Sequence, residues 1–565
     1  MNLSPENRVA GVLTPLFALR RDDDLGIGDL ESLRQFIEWT AEIGFKLVQL
    51  LPINETGGDN SPYNAISAMA IEPTTLYLAP GSPPELARED FEAATKSVDL
   101  DRLRRGPVRY PDVKKLKRQL LESAFARFEG QADERRRSAF EAFREGERAW
   151  LDNYTLFRAL MEENGGSEAW DRWPKEQQSV EAAAQWLHKQ TPEKQGEFAT
   201  RERFFQYVQW VAYDQWRVAR TFANSRGVAL MGDIPFGVSY YSADVFAERH
   251  NFALDWSGGA PPEPYFKDDE FTQKWGQNWG IPLYRWDEMR RREFDWWRQR
   301  VRGVRNIFDI FRIDHVLGFY RIYAFPWRPA RNKEILPLEQ NQMLEKTGGR
   351  EPHFAPRDDT TPQNCETNRH EGEEYLRMVL NESGATRIVG EDLGTVPNYV
   401  RPSLSSLGIA GFKVPQWEVY HGRVTPGAEY ERLSVATYCT HDHKPVRALW
   451  REAVEKETST TTQSREELNK IAHFAGIQTL GAQPDFDKDF YPPIMEALFA
   501  SESWIAVVMI TDLLGVPYRF NVPGTAATSN WSRRMRRTIT ALRSSPTVGE
   551  RMRLIRGFLQ KAGRT

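Results

Sequence analysis

Five apolar runs of this 565-residue chain end in a carboxylate. Asp233 closes VALMGD, Asp314 closes IFDIFRID, Glu391 closes RIVGE, Asp442 closes VATYCTHD and Asp512 closes WIAVVMITD. Each acid alone reads equally as the cap of a following helix, where a side-chain oxygen satisfies an orphan amide. Five at the same end of apolar runs favour a mouth lined by carboxylates. In FRIDHVLGFY, Arg312 stands two residues before Asp314, so in a strand both side chains project from one face. A neighbouring cation favours the ionised carboxylate, which suits a nucleophile; a purely structural ion pair fits the same spacing. In VGEDLGTVP, Glu391 and Asp392 must lie on opposite faces, so one of them meets the cavity.

Other chemistries lack their residues. There is no phosphate-binding loop, no His-Glu-x-x-His, no dinucleotide fingerprint and no Gly-x-Ser-x-Gly elbow. The two cysteines, Cys365 and Cys439, exclude a disulfide scaffold or a cysteine-based metal cluster. Nine histidines are scattered, and THDH at 440–443 is their one cluster; His441 and His443 lack a third metal ligand and read as sugar contacts or structure. What remains is carboxylates, aromatics, amides and guanidinium groups. That inventory fits glycoside chemistry, in which two carboxyl groups flank the scissile bond. A balance of 75 Lys and Arg against 79 Asp and Glu argues against a nucleic-acid or anionic-membrane coat. No run approaches the ~18 apolar residues of a membrane span, and the first residues lack a basic signal-peptide region; a cytoplasmic protein is expected.

Eight apolar or aromatic runs can serve as strands: Arg8–Leu16, Phe45–Leu51, Val228–Asp233, Ile307–Asp314, Arg387–Glu391, Gly411–Val414, Val435–Asp442 and Trp504–Asp512. Runs of this kind suit strands buried on both faces. Interleaved with helices, they predict an α/β fold: a (β/α)8 TIM barrel with large, mainly helical insertions, whose catalytic groups lie at the C-terminal ends of the strands. Asp29 is the expected cap of the first helix; Leu30, Leu33, Phe36, Ile37 and Ile43 line one face and Gly44 ends it. Residues 1–565 are read as one catalytic domain with a helical insertion at about 80–226 and a polar loop, or lid, at about 336–371. The segment 529–565 carries nine Arg and one Lys against one Glu. It reads as the solvated face of a terminal amphipathic helix, with Trp531, Met535 and Ile539 inside, in preference to a nucleic-acid surface. Aromatic residues reach 12%, including 18 Trp; Trp296 and Trp297 are read as packing.

The motifs, taken in order, resemble the 4-alpha-glucanotransferases (amylomaltase or disproportionating enzyme), glycoside hydrolase family 77 of the alpha-amylase clan. The resemblance runs from TPLFALRRDDDLGIGDLESLRQF to NVPGTAATSNW, and includes NSPYNAISAMA at 60–70, WLDNYTLFRAL at 150–160 and QNWGIPLYRW at 277–286. It implies Asp314 as nucleophile, Glu391 as general acid/base and Asp442 as the third carboxylate, on the −1 sugar. It further implies that Tyr63, Asp233, Arg312 and His441 line that sugar, that Gln277, Trp279 and His315 stand near the acceptor, and that Asn521 contacts sugar. The activity implied is transfer of α-1,4-glucan segments between maltooligosaccharides, starch or glycogen, with no cofactor and no metal. A hydrolase of the same clan shares the carboxylates, and an inert glucan-binding protein is the other alternative. A retaining mechanism sets the two carboxyl groups about 5–5.5 Å apart. The chain departs from the family pattern at Ile281 (usually Asn), in HDHKP, in NWSRR and in LPINETGG.

Overall fold

The computed structural model describes residues 3–263, 269–455, 461–478, 484–523 and 529–565. Each of the eight predicted runs holds one strand: β1 Val9–Leu13, β2 Leu47–Gln49, β3 Ala229–Pro235, β4 Ile310–Asp314, β5 Arg387–Gly390, β6 Gly411–Lys413, β7 Ser434–Ala436 and β8 Ile505–Met509. They pair in parallel in the order β6-β7-β8-β1-β2-β3-β4-β5. A parallel bridge from Val389 to Ala410 joins the two ends into a barrel. The strands are short and buried because helices cover the outside and side chains fill the centre.

The first helix, Leu30–Ile43, forms as its sequence predicts. The Asp29 carboxylate accepts from the Ser32 amide at 2.9 Å, and Gly44 ends the helix at φ 111°, a conformation that favours glycine. Leu33, Phe36 and Ile37 are fully buried.

Of the five strands expected to end in an acid, two stop three or more residues before it. β7 ends at Ala436, six residues before Asp442. Thr437 then bonds to the Cys439 carbonyl, and Thr440 to His443, so local side-chain bonds take the chain out of the ladder. Asp512 lies beyond β8, in the one-turn helix Ile510–Leu513.

Between β2 and β3 run the helices Arg88–Lys96, Leu100–Arg104, Tyr110–Gln131, Glu134–Glu163, Val180–His188 and Pro192–Ser225. Asp133, Ser179 and Thr191 cap three of them. Much of the aromatic excess is here: Phe128, Phe140, Tyr207 and Trp210 interlock with ring centroids 5.1–6.4 Å apart. Trp296 and Trp297 are likewise buried.

A second, antiparallel sheet stands beside the barrel mouth, in the order Gln277–Tyr284, Phe252–Ala260, Ile322–Phe325 and His353–Ala355. The segment at 336–371, expected as a loop, contributes the helix Gln340–Lys346, the last strand of this sheet and the start of the helix Pro362–Ser383. A helix alone does not account for the basic segment either. Trp531 and Met535 are buried but precede the helices Ile539–Ser544 and Pro546–Lys561; Met535 and Ile539 instead dock by amide bonds to the carbonyls of Ala18 and Arg20. Arg534 is buried against Asp24 at 2.5 Å, and Arg551 pairs with Asp487.

Candidate active site

Adjacent strands carry Asp233 and Asp314, because Pro235 of β3 pairs with Asp314 of β4 and Asp233 with Arg312. Arg312 is the hub. Its Nη1 donates to both Asp233 oxygens at 2.7 and 2.8 Å, and its Nη2 lies 2.7 Å from Asp314 Oδ1. The guanidinium is buried and unambiguously charged: burial disfavours its charge, but Asp233 and Asp314 outweigh that. Asp233 is a supporting group, with 1% of its side chain exposed, whereas 29% of Asp314 faces the mouth. Arg312 thus pairs with both carboxylates, one shielded and one open to the mouth.

Tyr63 reaches this hub from the loop after β2. Its hydroxyl donates to Asp233 Oδ2 at 2.7 Å and lies 3.2 Å from His441 Nδ1. Its ring stacks on His441 with centroids 4.6 Å apart. His441 Nε2 in turn lies 3.2 Å from Asp442 Oδ2, and Asn521 donates to Asp442 Oδ1 at 2.6 Å. Partial desolvation opposes the Asp442 charge; His441 and Asn521 more than offset it and hold the carboxyl well below its usual range.

Glu391 follows β5 directly, and its amide donates to the Ile313 carbonyl of β4. Its side chain accepts from the His315 amide at 2.8 Å. That amide can point inward because His315 adopts φ 49°, a left-handed conformation that costs a non-glycine residue about 1 kcal/mol or more. Burial pushes the Glu391 carboxyl up to about 8; Arg312 pulls it down and Asp314 pushes it up. Two carboxyl groups on neighbouring strands therefore differ in environment, Asp314 beside a guanidinium and Glu391 pushed up by burial.

The opposite lip comes from the antiparallel sheet. Trp279 is 39% exposed and sets its ring edge-on to His315 with centroids 4.8 Å apart. Gln277 Oε1 accepts from the Trp279 indole at 3.2 Å. Burial pushes the His315 imidazole down to about 4, so it is neutral. Ile281 lies over Gly237 and Gly258, where an added Cβ would approach its side chain to 2.2 and 3.0 Å. An apolar side chain thus fills a glycine-lined hollow at this position.

The residues that the family resemblance implies for catalysis and sugar contact fall into this one linked cluster. Asp512, the fifth strand-end acid, and Asp392 do not: Asp392 accepts from the Phe412 amide at 2.6 Å and from Arg401, and Asp512 accepts from the Val446 amide at 2.7 Å and from the Cys439 thiol. Burial pushes Asp512 up to about 6. Two site residues escaped the sequence reading. Arg519 donates to the Asp442 carbonyl, and the Trp531 ring lies 5.8 Å from Tyr63 and 5.9 Å from His441. Their proximity to Asn521 in the chain was the available signal. Among the described residues, no group of three or more His, Cys, Asp and Glu is gathered as for a metal ion, and no helix is long and apolar enough to cross a membrane.

Comparison with known proteins gives one family. The family model described as 4-alpha-glucanotransferase matches residues 14–540. A 4-alpha-glucanotransferase of Chlamydia caviae is 30% identical, covering 94% of this chain and 91% of its own. One from Aquifex aeolicus is 29% identical, covering 94% and 96%. Among solved structures, amylomaltase from Streptococcus agalactiae in complex with acarbose superimposes with a TM-score of 0.73 at 22% identity, covering 99% of both chains. Amylomaltase from Corynebacterium glutamicum gives 0.76 at 21% identity, covering 99% of this chain and 76% of that one. These two establish the likeness of fold.

Proposed function

The chain belongs to the 4-alpha-glucanotransferase family, and we propose that it transfers α-1,4-glucan segments from a donor maltooligosaccharide, starch or glycogen chain to the 4-hydroxyl of an acceptor glucan or glucose. The observation that carries this reading is the pairing of Asp314, beside Arg312, with a Glu391 carboxyl raised to about 8.

In the first step Glu391 gives its proton to the glycosidic oxygen while Asp314 attacks the anomeric carbon. The C–O bond to the leaving chain breaks and a glycosyl–Asp314 ester forms. Positive charge develops on the −1 sugar, and Asp442, held ionised, stabilises it. Tyr63 and His441 line that sugar, and Asp233 holds Tyr63 and Arg312 in place behind it. Ionised Glu391 then takes the proton of the acceptor 4-hydroxyl, whose oxygen displaces Asp314 and restores both groups. Transfer must outrun attack by ~55 M water; a well-held acceptor reaches effective molarities of about 10⁵ M or more. Trp279, Gln277 and His315 are the residues that hold it. No cofactor enters these steps. The reading takes residues 1–565 as one catalytic unit working in the cytoplasm, in keeping with a chain of two free cysteines.

Incubation of the purified protein with maltotriose alone tests the reading. The expected products are glucose and a ladder of longer maltooligosaccharides. Glucose and maltose without longer chains would make it a hydrolase, and unchanged maltotriose would leave it a binding protein.

A further inference from the structure

The loop that carries Tyr63, Pro52–Glu72, is fastened less to the barrel than to the inserted helices. Antiparallel bridges from Asn54 to Ile71 and from Thr56 to Ala65 close it on itself, with Tyr63 in the closed part. Glu72 is buried and accepts from the Thr56 amide and hydroxyl at 2.9 and 3.0 Å, which pins the two arms together.

Glu55, in the LPINETGG segment where this chain departs from its family's pattern, supplies the outward anchor. It is buried, 7% exposed. One of its oxygens accepts from the Tyr154 hydroxyl at 2.5 Å and the other lies 3.2 Å from Arg158 Nε. Both partners belong to the helix Glu134–Glu163. A second tie is Gln209, of the helix Pro192–Ser225, which bonds both the amide and the carbonyl of Ile71 and also the Tyr154 hydroxyl. A short hydrogen bond to a buried carboxylate is strong, and its loss leaves a charge with too few partners. Tyr63 at the far end must place one hydroxyl between Asp233 and His441, a demand of a few tenths of an ångström.

We propose that Glu55 and Tyr154 are positioning residues: their bond anchors the Tyr63 loop to the inserted helices, which thereby set the placement of Tyr63 against Asp233 and His441. The inserted helices then serve catalysis directly, as the rigid back of one wall of the sugar site. This inference rests on the reading of Tyr63 as a contact to the −1 sugar.

A double-mutant cycle on the full chain tests it, with kcat and KM on maltotriose and the thermal midpoint as readouts. Tyr154→Phe lowers kcat about tenfold, because misplacement by about 1 Å is costly, while KM moves little. Glu55→Ala behaves like Tyr154→Phe, and Glu55→Gln, whose amide oxygen still accepts from Tyr154, recovers most of the activity. In a Tyr63→Ala background Tyr154→Phe costs less than about twofold, since the group it positions is gone. Equal losses from Tyr154→Phe in both backgrounds overturn the inference, because general loosening of the fold does not depend on Tyr63. An unimpaired Tyr154→Phe single variant overturns it too. Full activity of Tyr63→Ala alone sinks the reading of Tyr63 itself, which separates the two failures.

Discussion

The two ends of the barrel each bury an arginine, and they do so in opposite ways. At the C-terminal mouth, Arg312 is bracketed by the carboxylates of Asp233 and Asp314. At the N-terminal end, Arg564 is 1% exposed and, among the described residues, forms no ion pair; its guanidinium donates to the carbonyls of Val9, Phe499, Ser501, Ser503 and Trp504. Its five donors match five main-chain acceptors where β1 and β8 begin. The bottom of the barrel therefore uses an arginine to gather main-chain oxygens around the starts of β1 and β8, one of which, on Trp504, also accepts from the Val9 amide. The mouth uses one to hold two acids at fixed places while leaving one of them open to substrate. A charge shared among neutral carbonyls supports stability. A charge held between two carboxylates fixes their positions beside the open end of the barrel.

Variants can break this contrast from either end. The largest effect is expected at the mouth: Asp314→Ala lowers transfer on the order of 10⁴-fold or more, with the unfolding midpoint nearly unchanged because Asp314 faces the open cavity. Activity assays beside thermal melts check it, and an active variant removes Asp314 as nucleophile. At the other end, Arg564→Ala leaves several carbonyls without a donor and destabilises the fold by about 3 kcal/mol or more, while kcat per folded molecule stays the same. Urea unfolding with activity measured at low urea checks this pair of outcomes. A loss of kcat without loss of stability would reverse the assignment of the two ends.

Smaller effects sharpen the account of the mouth. Glu391 must be protonated to act as acid, and its carboxyl is raised to about 8. Activity on maltotriose therefore holds through neutrality and falls tenfold per pH unit above about 8. A kcat/KM profile between pH 6 and pH 10 measures it; a flat profile to pH 10 is inconsistent with Glu391 as the acid. The smallest change is Trp279→Ala, which removes an exposed stacking face worth about 1 kcal/mol and raises KM for maltotriose about fivefold with no change in melting.

Much of this was legible in the chain. The barrel strands are dense runs such as RIVG and WIAVVM; the alternation of a strand admits only one of Glu391 and Asp392 to the cavity, and the family resemblance points to Glu391. What stayed hidden was set by contacts distant in sequence. The antiparallel sheet is built from FALDWSGGA, which lacks clean alternation, and from the three residues His353–Ala355, whose partner is Ile322–Phe325. Asp442 was recognised, but the turn that carries it depends on Thr437 and Thr440 bonding locally. Arg564 gave no signal at all: within a basic segment it resembles its solvated neighbours, and only the closed barrel brings five carbonyls to it. Arg312 was read as the partner of Asp314, yet Asp233, 79 residues earlier, takes the larger share of its donors.

In the proposed reaction Asp314 carries the glycosyl group and Glu391 carries the proton. A maltotriosyl donor with fluoride as leaving group needs no acid to start the reaction, so Glu391→Gln still forms the glycosyl–enzyme and resolves it slowly. Peptide mass spectrometry of that variant after brief exposure to the fluoride is the direct measurement. A maltotriosyl adduct on the peptide containing Asp314 is expected, absent when Asp314→Ala is added. An adduct on Asp233 or Asp442, or the same adduct without Asp314, would contradict it.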